Sequence, residues 1–282
     1  MIQYRIGLFG KREWISVLLE KLIYDKKFNI SFICFNNKNE INKIEMINNL
    51  NIPQFTIIEF DKKNLKKIKQ FNCDYLISVS YLKKFPIQFI NNFKNNSLIN
   101  IHSSLLPKYK GRSILNWQLI NGEKVSGLTS HFINEKIDSG KIIYQIKYLI
   151  SINDDYLSLF IKSSSSVYKL LKLTLKAIEK KKFSFKNNSK ITKCYRKRIY
   201  GDEIFVPNKI TFSNLYNFIR ALKYPGPFAT ILIKRRKYRI YSIEKINYKQ
   251  SDIKNNLIVN DRFIIAKLKD CYCKLFYLDE KN

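Results

Sequence analysis

Leu98-Ile99-Asn100-Ile101-His102, followed by Ser103 to Arg112 (SSLLPKYKGR), is the stretch on which the reading of this chain turns. An apolar run ends in an amide and an imidazole two positions apart. In a strand, such residues share one face, so Asn100 and His102 would emerge side by side at the carboxyl end of a buried strand. Open α/β sheets place their ligands at that end. Further on, Thr129-Ser130-His131 leads through Asn134-Glu135-Lys136-Ile137 to Asp138-Ser139-Gly140, a turn that carries a carboxylate. An amide, an imidazole and a carboxylate suffice for proton transfer with stabilisation of an oxyanion. Both histidines of the chain, His102 and His131, fall in this region. His131 sits on an alternating run and suits a pocket and a surface position equally well.

Order and spacing together identify a family. Asn100-x-His102, the Ser104-Leu105-Leu106-Pro107 loop and Asp138 before Gly140 resemble the folate-dependent formyltransferases, which move a formyl group from 10-formyltetrahydrofolate to an amine. The resemblance implies a doubly wound, mostly parallel α/β sheet with a smaller C-terminal β-barrel-like domain. It implies His102 as general acid/base, Asn100 as oxyanion stabiliser and Asp138 as the group that orients the imidazole. It also implies a folate site built from Lys84, Phe85 and Pro86 in the turn after the fourth strand, from Arg112, and from Asn134, Glu135, Lys136 and Ile137. The donor, 10-formyltetrahydrofolate, is the only cofactor implied. No metal is called for, since two histidines without a surrounding carboxylate cluster make a poor ligand set.

The pattern on either side agrees with that fold. Apolar runs at Tyr4 to Phe9, Asn29 to Phe35, Gln54 to Glu59 and Asp74 to Ser80 read as strands. Arg12 to Tyr24, Glu40 to Leu50 and Lys63 to Phe71 read as the helices between them. Such β-α-β alternation specifies a parallel sheet. Gly10 is not followed by a G-x-G-x-x-G run, so a dinucleotide site is poorly supported. Ile114 to Ile120 reads as a short helix, Gly127 to Asn134 and Ile142 to Ile150 as strands, and Tyr156 to Ile178 as one helix of about six turns. Within it, Ser163 to Ser166 is a weak patch. Residues 1–182 are expected to form the catalytic domain, 183–198 a basic linker, and 199–282 the barrel-like domain. There a helix capped by Ser213 runs to Leu222, ahead of five short strands. Arg220-Ala-Leu-Lys-Tyr-Pro225-Gly226 resembles a segment that precedes the family's C-terminal barrel.

Composition narrows the class further. With 45% hydrophobic residues the chain can build a real core, and global disorder is excluded. No apolar run approaches a membrane span, and Met1 to Gly10 lacks the features of a signal peptide, so a cytoplasmic protein without a membrane partner is expected. The five cysteines are scattered and read as incidental thiols. Lys and Arg number 52 against 22 Asp and Glu, a net charge of +30. This charge suits RNA. It equally suits compositional drift in a chain saturated with Lys, Asn and Ile, and both explanations stand.

The acceptor divides the family. Gly111-Arg112-Ser-Ile-Leu-Asn116-Trp117 resembles the branch that formylates nucleotide-linked amino sugars, as do Thr129-Ser-His131 and Lys197-Arg198 with Gly201-Asp202. The branch acting on initiator Met-tRNA has Ala-Ala-Pro-Ile after the Gly and a long Pro- and Gly-containing loop after the second strand. Here Asn36 to Glu40 is short and has neither residue. The expected partner is therefore a nucleotide-linked amino sugar. The alternatives are initiator tRNA, favoured by the charge, and a non-catalytic basic RNA-binding protein on the same fold. A homodimer is left open.

Overall fold

A computed structural model describes residues 3–45, 50–181, 183, 192–247 and 257–278. Two compact units divide the chain. The first comprises Met1–Gly111, Gly127–Tyr148 and Lys162–Cys194, the second Arg112–Ser126, Leu149–Ile161 and Tyr195–Asn282. The second unit thus takes in two segments that precede residue 199 in sequence.

Seven strands form the sheet of the first unit: β1 (Tyr4–Gly10), β2 (Phe28–Phe35), β3 (Gln54–Thr56), β4 (Tyr75–Val79), β5 (Leu98–His102), β6 (Val125–Phe132) and β7 (Ile142–Leu149), in the order β3-β2-β1-β4-β5-β6-β7. Pairing is parallel from β3 to β5, and β6 runs antiparallel to β5. This is the doubly wound, mostly parallel architecture expected from the alternation. Ile6, Leu8 and Phe9 of β1 are fully buried, as a central strand covered on both faces requires. Phe9 packs edge-on against Phe32, Tyr81 and Phe85 with ring centroids 5.5, 5.3 and 5.3 Å away, a geometry that matches the positive edge of one ring to the negative face of the next.

The connections hold α1 (Arg12–Leu22), α2 (Lys62–Gln70) and the single turn α3 (Ile87–Ile90). The side chain of Asp61 caps α2 by accepting from Asn64 N. Of the helix expected over Glu40 to Leu50, Glu45 is helical, and the core of the span, residues 46–49, lies outside the described residues. Lys38–Glu40 makes one 3-10 turn. Ile114–Ile120 is α4.

The long helix expected over Tyr156 to Ile178 is two helices, α5 (Tyr156–Ser165) and α6 (Val167–Glu179). The break falls in the serine patch. Ser166 donates its hydroxyl to Lys162 O at 2.8 Å, and its N–H reaches Ser163 O at 3.2 Å instead of continuing the i−4 ladder. Side-chain back-bonding of this kind competes with the helix backbone and bends it.

In the second unit, α7 (Phe212–Leu222) precedes β8 (Ala229–Ile233), β9 (Arg236–Ile246), β10 (Leu257–Val259), β11 (Phe263–Lys267) and β12 (Tyr272–Leu278). These strands form an antiparallel half-barrel in the order β8-β9-β12-β11-β10. Thr211, not Ser213, caps α7: its side chain accepts from Asn214 N. Arg220 is 6% exposed and holds the Ser151–Asp154 loop, donating to the carbonyls of Ser151, Ile152 and Asp154 at 2.9, 3.3 and 3.0 Å. Most of the basic linker, residue 182 and residues 184–191, lies outside the described residues.

Truncating Phe9 to Ala removes the ring at the centre of the aromatic cluster and should cost about 3–5 kcal/mol of stability. Urea unfolding measures this, and a loss under about 1 kcal/mol would mean that the cluster does not carry the core of the first unit.

Candidate active site

Asn100 and His102 share one face of β5 and lie at its carboxyl end. Antiparallel β6 brings His131 directly opposite Asn100, and Thr129 directly opposite His102. Residues so paired point to the same side of a sheet. The chain then returns past Phe132 and delivers Asp138. Two backbone features allow the return. Asp138 has φ +48°, a left-handed conformation that Asp tolerates better than most residues. At Gly140, a Cβ would stand 1.6 Å from the Phe132 carbonyl oxygen, so no side chain fits there.

Asp138, 9% exposed, is the point of convergence. Its Oδ1 lies 3.4 Å from His102 Nδ1, 3.3 Å from Asn100 Nδ2 and 3.6 Å from His131 Nε2. Its Oδ2 accepts the N–H of Gly111 at 2.9 Å. Burial alone would push this carboxyl up. The His102 ring beside it, then His131, and then the Gly111 N–H outweigh that and hold it well below the usual carboxylate range. His102 Nε2 lies 2.7 Å from the Tyr109 carbonyl.

His131 is 3% exposed, which decides between the two positions that its sequence context allowed. Its Nδ1 donates to Phe132 O at 2.9 Å, since a carbonyl can only accept. With the hydrogen on Nδ1, the neutral ring presents its Nε2 lone pair to Asn100 Nδ2, 3.0 Å away. The amino end of the Asn100 amide is thereby directed toward His131 and Asp138. Lys110, only 8% exposed, donates from Nζ to Ser139 Oγ at 3.2 Å, on the residue next to Asp138. Two signals in the sequence mark these additions: the i, i+2 polar pair Thr129/His131, mirroring Asn100/His102 on the adjacent strand, and a lysine directly before Gly111.

The other residues read from the sequence are distributed as follows. Phe85 is buried in the aromatic core, with ring centroids 5.2 Å from Phe60 and 5.6 Å from Phe89, so only its backbone is available to a ligand. Lys84 is exposed and Pro86 occupies the position directly before α3. Asn134, Glu135, Lys136 and Ile137 form an exposed turn in which Asn134 Oδ1 accepts from Lys136 N at 3.1 Å. Arg112 belongs to the second unit, where its N–H donates to Tyr195 O at 2.9 Å.

The model of the formyl transferase family matches residues 9–173, more than half of the chain. The chain belongs to the formyl transferase family. A methionyl-tRNA formyltransferase of Caldicellulosiruptor saccharolyticus is 28% identical to this family member over 96% of the chain and 90% of its own length. An N-formyltransferase of Helicobacter canadensis, solved with folinic acid and dTDP-3-aminofucose, matches with TM-score 0.68 at 21% identity, covering 99% of this chain and all of that one. HypX of Aquifex aeolicus, solved with tetrahydrofolic acid, matches with TM-score 0.67 at 13% identity over 97% of this chain, which spans 43% of HypX. At these identities the two structures establish the fold. No helix among the described residues is long and apolar enough to cross a membrane.

Two predictions follow from the convergence on Asp138. Gly140→Ala forces β6 and the Asp138 turn apart and should destabilise the first unit by about 1–3 kcal/mol; an unchanged melting temperature would contradict the close approach to Phe132. Because the Asp138 carboxyl titrates lower in the folded chain than in the unfolded one, its contribution to stability is complete above about pH 4 and is lost as the pH falls further. The stability difference between the native chain and Asp138→Asn, followed by urea unfolding at stepped pH, should therefore shrink only on the acid side. A difference that stays constant into strong acid would rule this out.

Proposed function

We propose that this chain transfers the formyl group of 10-formyltetrahydrofolate to the amino group of a nucleotide-linked amino sugar. The observation that carries the chemistry is the buried cluster in which the Asn100 amide, the His102 imidazole and the Asp138 carboxylate meet within 3.3–3.4 Å of one oxygen. Acyl transfer between two nitrogens needs a neutral amine, a group that removes its proton as it adds, and a donor for the oxyanion that forms. His102 takes the proton. The Asp138 carboxylate offsets the imidazolium charge that results. The Asn100 amino group contacts Asp138 at the long distance of 3.3 Å, a contact that a developing oxyanion can replace. Oxyanion contacts of this kind are worth about 10²–10³ in rate.

For the donor, the residues present fit. The exposed Asn134–Ile137 turn runs directly into buried Asp138, which suits a ligand that must present one end to the cluster. The backbone of Lys84 to Pro86, held by the buried Phe85 ring, supplies the other proposed folate contact of the first unit. The group supplies the formyl carbon. Everything else is proton handling by His102 and orientation by Asn100 and Asp138.

For the acceptor, Gly111-Arg112-Ser-Ile-Leu-Asn116-Trp117 supports the amino sugar. The net charge of +30 and the likeness to a methionyl-tRNA formyltransferase support initiator Met-tRNA as the second reading. A formyl-transfer assay with 10-formyltetrahydrofolate, nucleotide-linked amino sugars and initiator Met-tRNA separates them. Transfer to a sugar with a shallow dependence on salt is expected. Transfer to Met-tRNA alone, falling steeply with salt as phosphate contacts dictate, would replace the acceptor. His102→Ala should reduce transfer by about 10²–10⁴-fold; full activity in that variant would end the proposed role of the cluster. RNA binding that survives His102→Ala, in a chain that formylates nothing, would establish the non-catalytic reading.

A further inference from the structure

The amine's proton has two ring nitrogens on which to land, and the loop after β5 distinguishes them. His102 Nε2 lies 2.7 Å from the Tyr109 carbonyl oxygen. A carbonyl has no hydrogen to give, so the ring nitrogen facing it carries one. That carbonyl is braced. Ser104, fully buried, donates its hydroxyl to Lys108 O at 2.8 Å and reaches Tyr109 O at 3.3 Å. The Ser104 carbonyl in turn accepts from Thr129 Oγ1 at 2.6 Å. Thr129 Oγ1 accepts from Leu106 N at 3.1 Å and from Gln145 Nε2 at 2.8 Å. Tyr109 itself takes φ +58°, the left-handed conformation that turns its carbonyl back toward β5.

Nδ1 is in a different situation. Its partner, Asp138 Oδ1, stands 3.4 Å away, longer than the roughly 2.7–2.9 Å of a tight charge-assisted bond. It faces the side on which Asn100 converges.

We infer that the Ser104–Tyr109 turn keeps a hydrogen permanently on His102 Nε2, so that the proton leaving the attacking amine passes to Nδ1, beside Asp138, with Ser104 as a positioning residue. The substrate in this statement rests on the formyl-transfer reading, whereas the tautomer does not. The step balances. The amine nitrogen bonds to the formyl carbon and gives one hydrogen to Nδ1. The bond between that carbon and N10 of the donor breaks, and the Nδ1 hydrogen passes to N10. The Nε2 hydrogen is unchanged throughout.

The chain has two histidines, so a ¹⁵N-histidine-labelled sample of the full chain gives signals from two rings, which the His102→Asn variant assigns. In the neutral ring, His102 Nε2 should show the shift of a protonated nitrogen and Nδ1 that of a bare one. A neutral ring with bare Nε2, wholly or in part, overturns the inference. In Ser104→Ala, with folding checked by melting, the two tautomers should mix, and kcat should fall by about threefold to tenfold as the base loses alignment. KM for the donor should not change. Ser104→Cys, which keeps a weak donor, should fall between the two. An unchanged tautomer in Ser104→Ala would likewise overturn it. The spectra need no substrate, so the expected shifts in a chain that formylates no amine would remove the functional reading and leave the tautomer standing.

Discussion

A single carboxylate oxygen, Asp138 Oδ1, has three nitrogens within 3.6 Å of it, on Asn100, His102 and His131. A buried charge is costly unless it is paired and hydrogen-bonded. Sharing one anion between a ring that can carry positive charge and an amide helps to meet that cost. It also draws three segments of chain to one point: β5, β6 and the turn before Gly140. The remaining oxygen is held by the Gly111 backbone, so the carboxylate is fixed from both sides. The requirement that Gly140 lie against Phe132 follows from this arrangement. Without that close approach the turn could not bring a carboxylate back over the strand pair that bears the histidines.

The sheet supplies the platform. Parallel pairing up to β5 leaves the carboxyl ends of the strands on one edge, and the fully buried aromatic and aliphatic residues of β1 and β2 fix those strands rigidly. Antiparallel β6 then adds a second row of polar side chains in register with the first. Fixed strands hold Asn100, His102 and His131 closely, and the hydroxyl and amide groups of Ser104, Thr129 and Gln145 extend the same hydrogen bonding into the loop that follows β5.

Much of this was readable in advance. The strand Leu98–His102 and the helix Ile114–Ile120 have the bounds that their apolar periodicity gives, because a two-residue or a near-four-residue repeat is a local property of the chain. Failures are local as well. The run from Tyr156 to Ile178 has the apolar spacing of one helix. Four consecutive serines, however, let Ser166 bond its own helix backbone, and spacing alone does not weigh that competition. The cap of α7 fell on Thr211 instead of Ser213 because both residues have the chemistry and only the entry angle of the chain selects between them.

By itself the sequence determined the alternation that makes a parallel sheet, the pairing of Asn100 with His102 on one strand face, and a carboxylate placed just before a glycine. Those are consequences of residue type and short-range spacing. Tertiary structure decided what crosses from strand to strand and from loop to strand. It set His131 opposite Asn100, brought the Tyr109 carbonyl against His102 Nε2, and placed the Gly111 N–H on Asp138. It also divided the chain into units that each draw on separated stretches of sequence. Register, the path of a returning loop and the hydrogen bonds of a main-chain carbonyl depend on where distant segments pack, and a pattern read along the chain carries no record of that.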